Sequence, residues 1–130
     1  MKRLQPPNWP RPKGYSNGIV AEGKLVFTAG QIGWDENEHL VSDDFSEQFE
    51  QVLRNTLAVL AEAGAEPEHI VRMTGFVTDK AEYLGSLRAI GAIWKQLIGP
   101  HYPVMAFVEV SALIEDRAKV EIETTAVIPH

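Results

Sequence analysis

The amino-acid sequence predicts a single α+β domain with two helices packed on one face of a β-sheet. Two long segments carry apolar residues at three- and four-residue intervals, which is typical of amphipathic helices. About five shorter segments are rich in β-branched and apolar residues, which is typical of strands. A chain of 130 residues with 45% hydrophobic side chains suits one domain with one core.

The N-terminal segment is predicted to be an irregular arm of residues 1–17, followed by the folded domain of residues 18–130. Several prolines in the arm remove amide donors and fix φ, so neither a helix nor a central strand is expected there. Two strands are then predicted at Gly18–Glu22 and Leu25–Ala29. The glycine at position 23 between them predicts a tight hairpin turn.

The first helix is predicted to begin at Asp44, with Glu47 completing a capping box, and to end at Gly64. Glu50 and Arg54 have the spacing of an ion pair on its solvent side. Its apolar stripe consists of Phe49, Val52, Leu53, Leu57, Leu60 and Ala63.

The second half of the chain is predicted to hold three strands and one further helix. The strands are Ile70–Val77, about Val104–Ala112 and Ala118–Ile128, the last two joined by a turn at residues 114–117. The helix follows a second capping box and ends before Gly99 and Pro100. That box is formed by Asp79 and Glu82, and the apolar stripe by Tyr83, Leu87, Ile90, Trp94 and Leu97.

One sheet face has no helix of this chain to cover it, so we expect that face to be solvated or covered by another copy. Phe76, Phe107 and Val127 are candidates for that face.

Composition excludes several classes of function. The net charge of −6 argues against a nucleic-acid partner, which needs a basic surface. The absence of cysteine excludes disulfides, thiolate metal sites and a cysteine nucleophile, and the histidines lack metal-ligand spacing. Without a signal peptide or a long apolar run, the sequence predicts a soluble cytoplasmic protein with no membrane partner.

Two carboxylates near the C-terminus require an explanation. Because side chains alternate along a strand, Glu121 and Glu123 share one sheet face, while Val120 and Ile122 occupy the other. A carboxylate on a sheet face costs free energy unless it is solvated, paired or used. Glu121 is therefore either a functional carboxylate or the structural partner of Lys119, Arg72 or Arg117.

Four segments resemble the RidA (YjgF) family in order and spacing, and the resemblance covers residues 14 to 129. They are Tyr15–Gly18, Thr28–Ile32, Tyr102–Pro103 and Val120–Glu123. The resemblance implies a chorismate-mutase-like fold with a mixed sheet, a homotrimer, and small-molecule clefts between subunits. It also implies hydrolysis of reactive enamines and imines with release of ammonia, without a metal or organic cofactor.

The resemblance also implies roles for individual residues. Glu121 matches the family glutamate that holds the attacking water, and Tyr15 matches a tyrosine of the cleft. The segment Ala29–Gln31, with Gly30 at its centre, matches the turn whose backbone lines the pocket. Arg88 lies near a position that often carries a polar side chain in the family.

Positions 105 and 107 depart from the family pattern. Met105 stands where deaminases of 2-imino acids carry an arginine that clamps the substrate carboxylate, and a thioether cannot replace that bidentate contact. The loss is worth about 1.5–3 kcal/mol of binding. Phe107 replaces a small residue, which predicts a narrower and more apolar pocket. We expect a substrate that lacks the free α-carboxylate and has an apolar or aromatic body.

Two alternatives to the deaminase remain at this stage. The first is a non-catalytic trimer that binds a small molecule in the same cleft, which the absence of the arginine supports. The second is RNA cleavage, which the acidic composition and the lack of a basic or aromatic track disfavour.

Overall fold

The computed structural model describes all 130 residues and shows the predicted α+β architecture. A four-stranded mixed sheet carries the helices on one face, and a separate two-stranded ribbon is formed near the N-terminus. The strands are β1 (Lys2–Leu4), β2 (Gly18–Val20), β3 (Lys24–Phe27), β4 (Ile70–Val77), β5 (Val104–Glu109) and β6 (Val120–Ile128). The helices are α1 (Phe45–Glu62), α2 (Lys80–Gly85) and α3 (Leu87–Leu97), with a 3₁₀ turn at Pro67–His69.

The main sheet has the strand order β3-β6-β4-β5, in which only β4 and β5 run parallel. Along β6, Val120, Ile122 and Ala126 are buried against the helices, and Glu121 and Glu123 lie on the opposite face, as the alternation predicts. We call the face turned away from the helices the outer face.

Local sequence signals define α1 as predicted. The Asp44 carboxylate accepts a hydrogen bond from Glu47 N at 3.0 Å, and Gly64 ends the helix with φ of 77°. The Glu47 carboxylate accepts from Ser42 Oγ at 2.6 Å instead of from Asp44 N, so only half of the capping box forms. The predicted Glu50–Arg54 pair is present at 3.0 Å.

The prediction of one continuous second helix is wrong, because the chain breaks at Ser86 into α2 and α3. Asp79 caps α2 as predicted, accepting from Glu82 N at 3.1 Å. Ser86 Oγ donates to the Glu82 carbonyl at 2.8 Å, and Gly85 just before it is a poor helix former. The apolar stripe continues across the break, which is why periodicity alone did not reveal it.

The predicted hairpin of the first two strands is also wrong. β2 pairs with β1, and β3 pairs with β6 at the far end of the sequence. At Gly23, φ is 150° and a Cβ would lie 2.0 Å from the Ile128 carbonyl oxygen, so the chain turns directly onto the end of β6. The arm is likewise not irregular throughout, because Lys2–Leu4 precede its first proline and retain their amide donors.

The outer face is partly apolar and only partly covered. Leu25, Phe27 and Val108 are 59%, 68% and 45% exposed on it. Phe76 and Val127 lie on this face as predicted, and the β1–β2 ribbon lies beside Val127. The assignment of Phe107 to this face is wrong: its ring lies on the helix side, over Gly75, whose missing side chain leaves the space. No helix is long and apolar enough to cross a membrane.

Candidate functional site

Glu121 and the segment Ala29–Gln31 form one compact unit, which we call the glutamate half-site. Gln31 N donates to the Ile122 carbonyl at 2.9 Å and Ile122 N donates to the Gln31 carbonyl at 3.0 Å, which fixes this segment beside β6. Gly30 lies so close that a Cβ there would be 2.5 Å from Glu121 Oε2. The backbone of Gly30 therefore packs directly against the carboxylate, and any larger residue at position 30 would displace it.

The Glu121 carboxylate takes part in none of the three side-chain ion pairs of the protein. Two of its predicted basic partners are engaged elsewhere, since Lys119 pairs with Glu82 at 3.0 Å and Arg117 pairs with Asp43 at 2.8 Å.

The third predicted partner, Arg72, is too distant from Glu121. Arg72 lies opposite Thr125, four residues further along β6. Four residues span roughly 13 Å of strand. The half-buried carboxylate of Glu121 is thus free to contact a ligand or water.

The segment that holds Gly30 is anchored by a residue that the sequence analysis did not single out. Asn55 Nδ2 donates to the Ile32 carbonyl at 3.1 Å and to the Trp34 carbonyl at 2.8 Å. Gly33 packs on α1, where a Cβ would lie 2.8 Å from the Cα of Gln48. In the sequence, Asn55 is only a polar residue beside the apolar stripe of α1. Its role could not be predicted because its hydrogen-bond partners lie more than twenty residues away.

Tyr15, Met105 and Phe107 contribute to a second feature, an apolar cavity of about 330 Å³ that we call the aromatic cavity. It lies between β5, the helices and the end of the N-terminal arm. Its lining contains no acidic residue. The remaining lining residues are Lys13, Gly14, Phe49, Tyr83, Leu87, Ile90, Gly91, Trp94 and Tyr102.

Aromatic contacts give this cavity its shape. The Phe107 ring meets the Tyr83 ring edge to face at 5.0 Å, and Trp94 stacks on Tyr102 at 6.0 Å. Burial raises the pKa of the Tyr83 hydroxyl above its ordinary value. The room for Phe107 comes from Gly75, where a Cβ would lie 1.7 Å from the Phe107 ring. The cavity is therefore suited to a flat, apolar group.

The predicted site residues thus fall into two groups on opposite faces of the sheet. Glu121 lies opposite Phe76 on the outer face, whereas Met105 and Phe107 pack on the helix side. One protomer does not bring the carboxylate and the aromatic cavity together. Arg88 is exposed on α3 and lines neither feature.

His101 ties the arm to the sheet. Its Nε2 lies 2.6 Å from the Ile70 carbonyl oxygen, to which it donates, and its Nδ1 accepts from Arg3 Nη2 at 2.9 Å. Burial lowers the pKa of His101 below its ordinary value, the hydrogen bond to Ile70 opposes this, and the charge of Arg3 lowers it further. The neutral ring is therefore a structural link. No group of His, Asp and Glu converges as metal ligands would.

The family model described as endoribonuclease L-PSP matches residues 9–128, nearly the whole chain. The chain belongs to the RidA (YjgF) family. Among its relatives is the 2-iminobutanoate/2-iminopropanoate deaminase of Salmonella typhimurium, which is 35% identical over 108 residues, 81% of this chain and 80% of that protein.

Solved structures of the RidA family share the fold. The Rid family protein YyfB of Yersinia pestis aligns over 98% of both chains with a TM-score of 0.86 and 31% identity. Escherichia coli TdcF, crystallised with bound serine, aligns over 98% of this chain and 99% of that chain with a TM-score of 0.69 and 32% identity. The family resemblance and the α+β fold predicted from the sequence are both confirmed.

Proposed function

We propose that this RidA-family chain hydrolyses a reactive enamine or imine to a carbonyl compound and ammonia, with Glu121 orienting the attacking water. The observation that carries the proposal is the free carboxylate of Glu121, packed against Gly30 and unpaired while its basic neighbours are engaged elsewhere. An ion pair with one of those partners would have assigned the carboxylate a structural role, and no such pair forms. The named deaminase among the relatives supports the same chemistry.

The proposed reaction needs few groups. An iminium carbon is already electrophilic, so a positioned water and a proton acceptor are sufficient. Glu121 accepts a proton as the water oxygen bonds to carbon, which gives a carbinolamine, and it then returns that proton to nitrogen. The carbon–nitrogen bond breaks as the carbonyl double bond forms, and the hydroxyl proton passes to the departing ammonia. Iminium and water thereby become carbonyl compound and ammonium. The negative carboxylate also favours the cationic iminium.

The aromatic cavity supports a substrate with an apolar or aromatic body and no free α-carboxylate. Met105 and Phe107 line it, and neither side chain can form a charged hydrogen bond with a carboxylate. A 2-imino acid whose carboxylate faced these two residues would find no hydrogen-bond partner in their side chains, which is costly.

A complete site is proposed to form between subunits of a trimer. The carboxylate of one copy lies on the outer face and the aromatic cavity on the helix side, so joining them requires two different surfaces to meet. Such a head-to-tail contact gives a closed ring when the rotation between neighbouring copies closes, and a trimer is one such ring. The exposed Leu25, Phe27 and Val108 give the outer face apolar area for the contact.

Ammonia release tests the proposal. Imines are generated in situ from a panel of amines and amino acids, and free ammonia and carbonyl product are followed with and without the protein. We expect acceleration for aromatic imines without an α-carboxylate and little for 2-iminopropanoate. Tight binding of panel compounds without any ammonia release would establish a binding module instead. Cleavage of RNA as the only activity would assign the chain to nucleases.

A further inference from the structure

The N-terminal arm is basic, although the chain as a whole is acidic. Residues 1–17 contain Lys2, Arg3, Arg11 and Lys13 and no acidic residue. All 18 acidic residues of the chain lie at or after Glu22. A local excess of one sign attracts ions of the opposite sign even when the net charge of the protein has the same sign as the ligand.

The structure places these charges beside the aromatic cavity. A groove of about 760 Å³, which we call the basic groove, is formed mainly by the arm, and Arg3 and Arg11 line it. The groove and the aromatic cavity share Gly14, Tyr15 and Tyr102 as lining residues. Lys13, which precedes the shared Gly14 in the chain, lines the aromatic cavity, and neither lining contains an acidic residue. The basic groove therefore adjoins the aromatic cavity at the two tyrosines.

The arm is held in a fixed path. Gln5 Nε2 donates to the Trp9 and Pro10 carbonyls at 3.1 and 3.2 Å, and Asn17 Nδ2 donates to Gln5 Oε1 at 2.8 Å. Arg3 is fixed by His101. Arg11 and Lys13 take part in no ion pair of the protein, so their charges remain available.

We propose that an anionic group at the distal end of the substrate binds where the aromatic cavity adjoins the basic groove, with Arg11 of the groove and Lys13 of the cavity lining as its partners. The substrate class is then an imine with an apolar or aromatic body in the cavity and a carboxylate or phosphate several bonds from the reacting carbon. This inference rests on the proposed function. It accounts for the absence of a charged side chain at Met105, because the charge is recognised at the opposite end of the substrate.

The test measures binding independently of catalysis. Calorimetry or ligand-observed NMR compares 3-phenylpropanoate with its uncharged amide, 3-phenylpropanamide. We expect the acid to bind more tightly than the amide. This preference should fall about fivefold in Arg11→Gln and in Lys13→Gln, because an ion pair with an exposed side chain contributes only modestly to affinity. Lys24→Gln removes the same charge from β3, outside the groove, and should retain the preference. Thermal melts check that each variant is folded.

The outcomes separate this inference from the deaminase proposal. The groove proposal is overturned if the acid and the amide bind with equal affinity, or if Lys24→Gln reduces the preference for the acid as much as Arg11→Gln and Lys13→Gln do. Either result stands even if ammonia release is observed. A preference that depends on Arg11 and Lys13 supports the groove even if no ammonia is released. Binding of an oligouridylate that requires both residues, without preference for the small acid, overturns the proposal in favour of a nucleic-acid surface.

Discussion

Replacing Gly30 by alanine should displace the Glu121 carboxylate while leaving the fold intact. The new Cβ would lie 2.5 Å from Glu121 Oε2 and 2.8 Å from Cδ. Non-bonded atoms prefer about 3.5 Å, so the carboxylate must retreat by about 1 Å. The φ of Gly30 lies outside the range that favours glycine, so alanine introduces no backbone strain. The side chain yields because its tip is flexible.

The expected effect of Gly30→Ala is kinetic. A misplacement of about 1 Å in a group that orients a reactant costs on the order of a hundredfold in rate. The free energy of unfolding should change by no more than about 0.5 kcal/mol, as for surface substitutions. Ammonia release under saturating imine gives turnover, and denaturant unfolding gives stability. Gly85→Ala is the matched control for turnover, because a Cβ at position 85 meets no atom within 4 Å, and any change in its stability reflects helix propensity alone.

Unchanged turnover in Gly30→Ala would refute the reasoning, since the carboxylate would have moved without consequence. A large loss of stability with turnover retained per folded molecule would assign Gly30 to folding alone.

Three further predictions concern assembly, packing and pH. Light scattering should give three times the 14.5 kDa chain mass, and a monomer at micromolar concentration would remove the inter-subunit site. Gly75→Val should destabilise by about 1–3 kcal/mol because its Cβ overlaps the Phe107 ring, and Phe107→Cys by about 2–4 kcal/mol because it leaves a void. The double variant should cost at least about 1 kcal/mol less than the sum, and strict additivity would contradict the contact. Because burial lowers the pKa of His101, its contribution to stability is full above about pH 6.5 and declines as pH falls below that value, and His101→Gln should flatten this decline. An unaltered slope would show that His101 does not cause it.

Elements with local signals could be predicted from the sequence. Asp44 and Gly64 mark the ends of α1, and the run Ile70–Val77 forms β4 with the predicted bounds. In each case, the residues that determine the structure lie within the element or next to it.

Strand pairing depended on distant residues and could not be predicted in this way. Gly23 and Lys24 have the local character of a hairpin turn, but β3 pairs with β6, about one hundred residues away. The face of Phe107 was likewise set by its neighbour across the sheet, Gly75. Only the pairing of β4 with β5 reveals the space that the phenyl ring fills.

The candidate site shows the same division. Alternation along β6 predicted that Glu121 faces away from the core, and family resemblance brought Gly30 to attention. The contact between them, and the anchoring of the neighbouring backbone by Asn55, are long-range and emerged only from the structure.

The central claim is that the free carboxylate of Glu121 orients a water molecule, and Glu121→Gln tests it most directly. The amide keeps the shape of the side chain and one acceptor oxygen but cannot accept the proton. We predict that turnover in ammonia release falls by on the order of a hundredfold, with the melting temperature unchanged because the carboxylate has no ion-pair partner to lose. Full turnover in Glu121→Gln, or a loss confined to melting temperature, would contradict the claim.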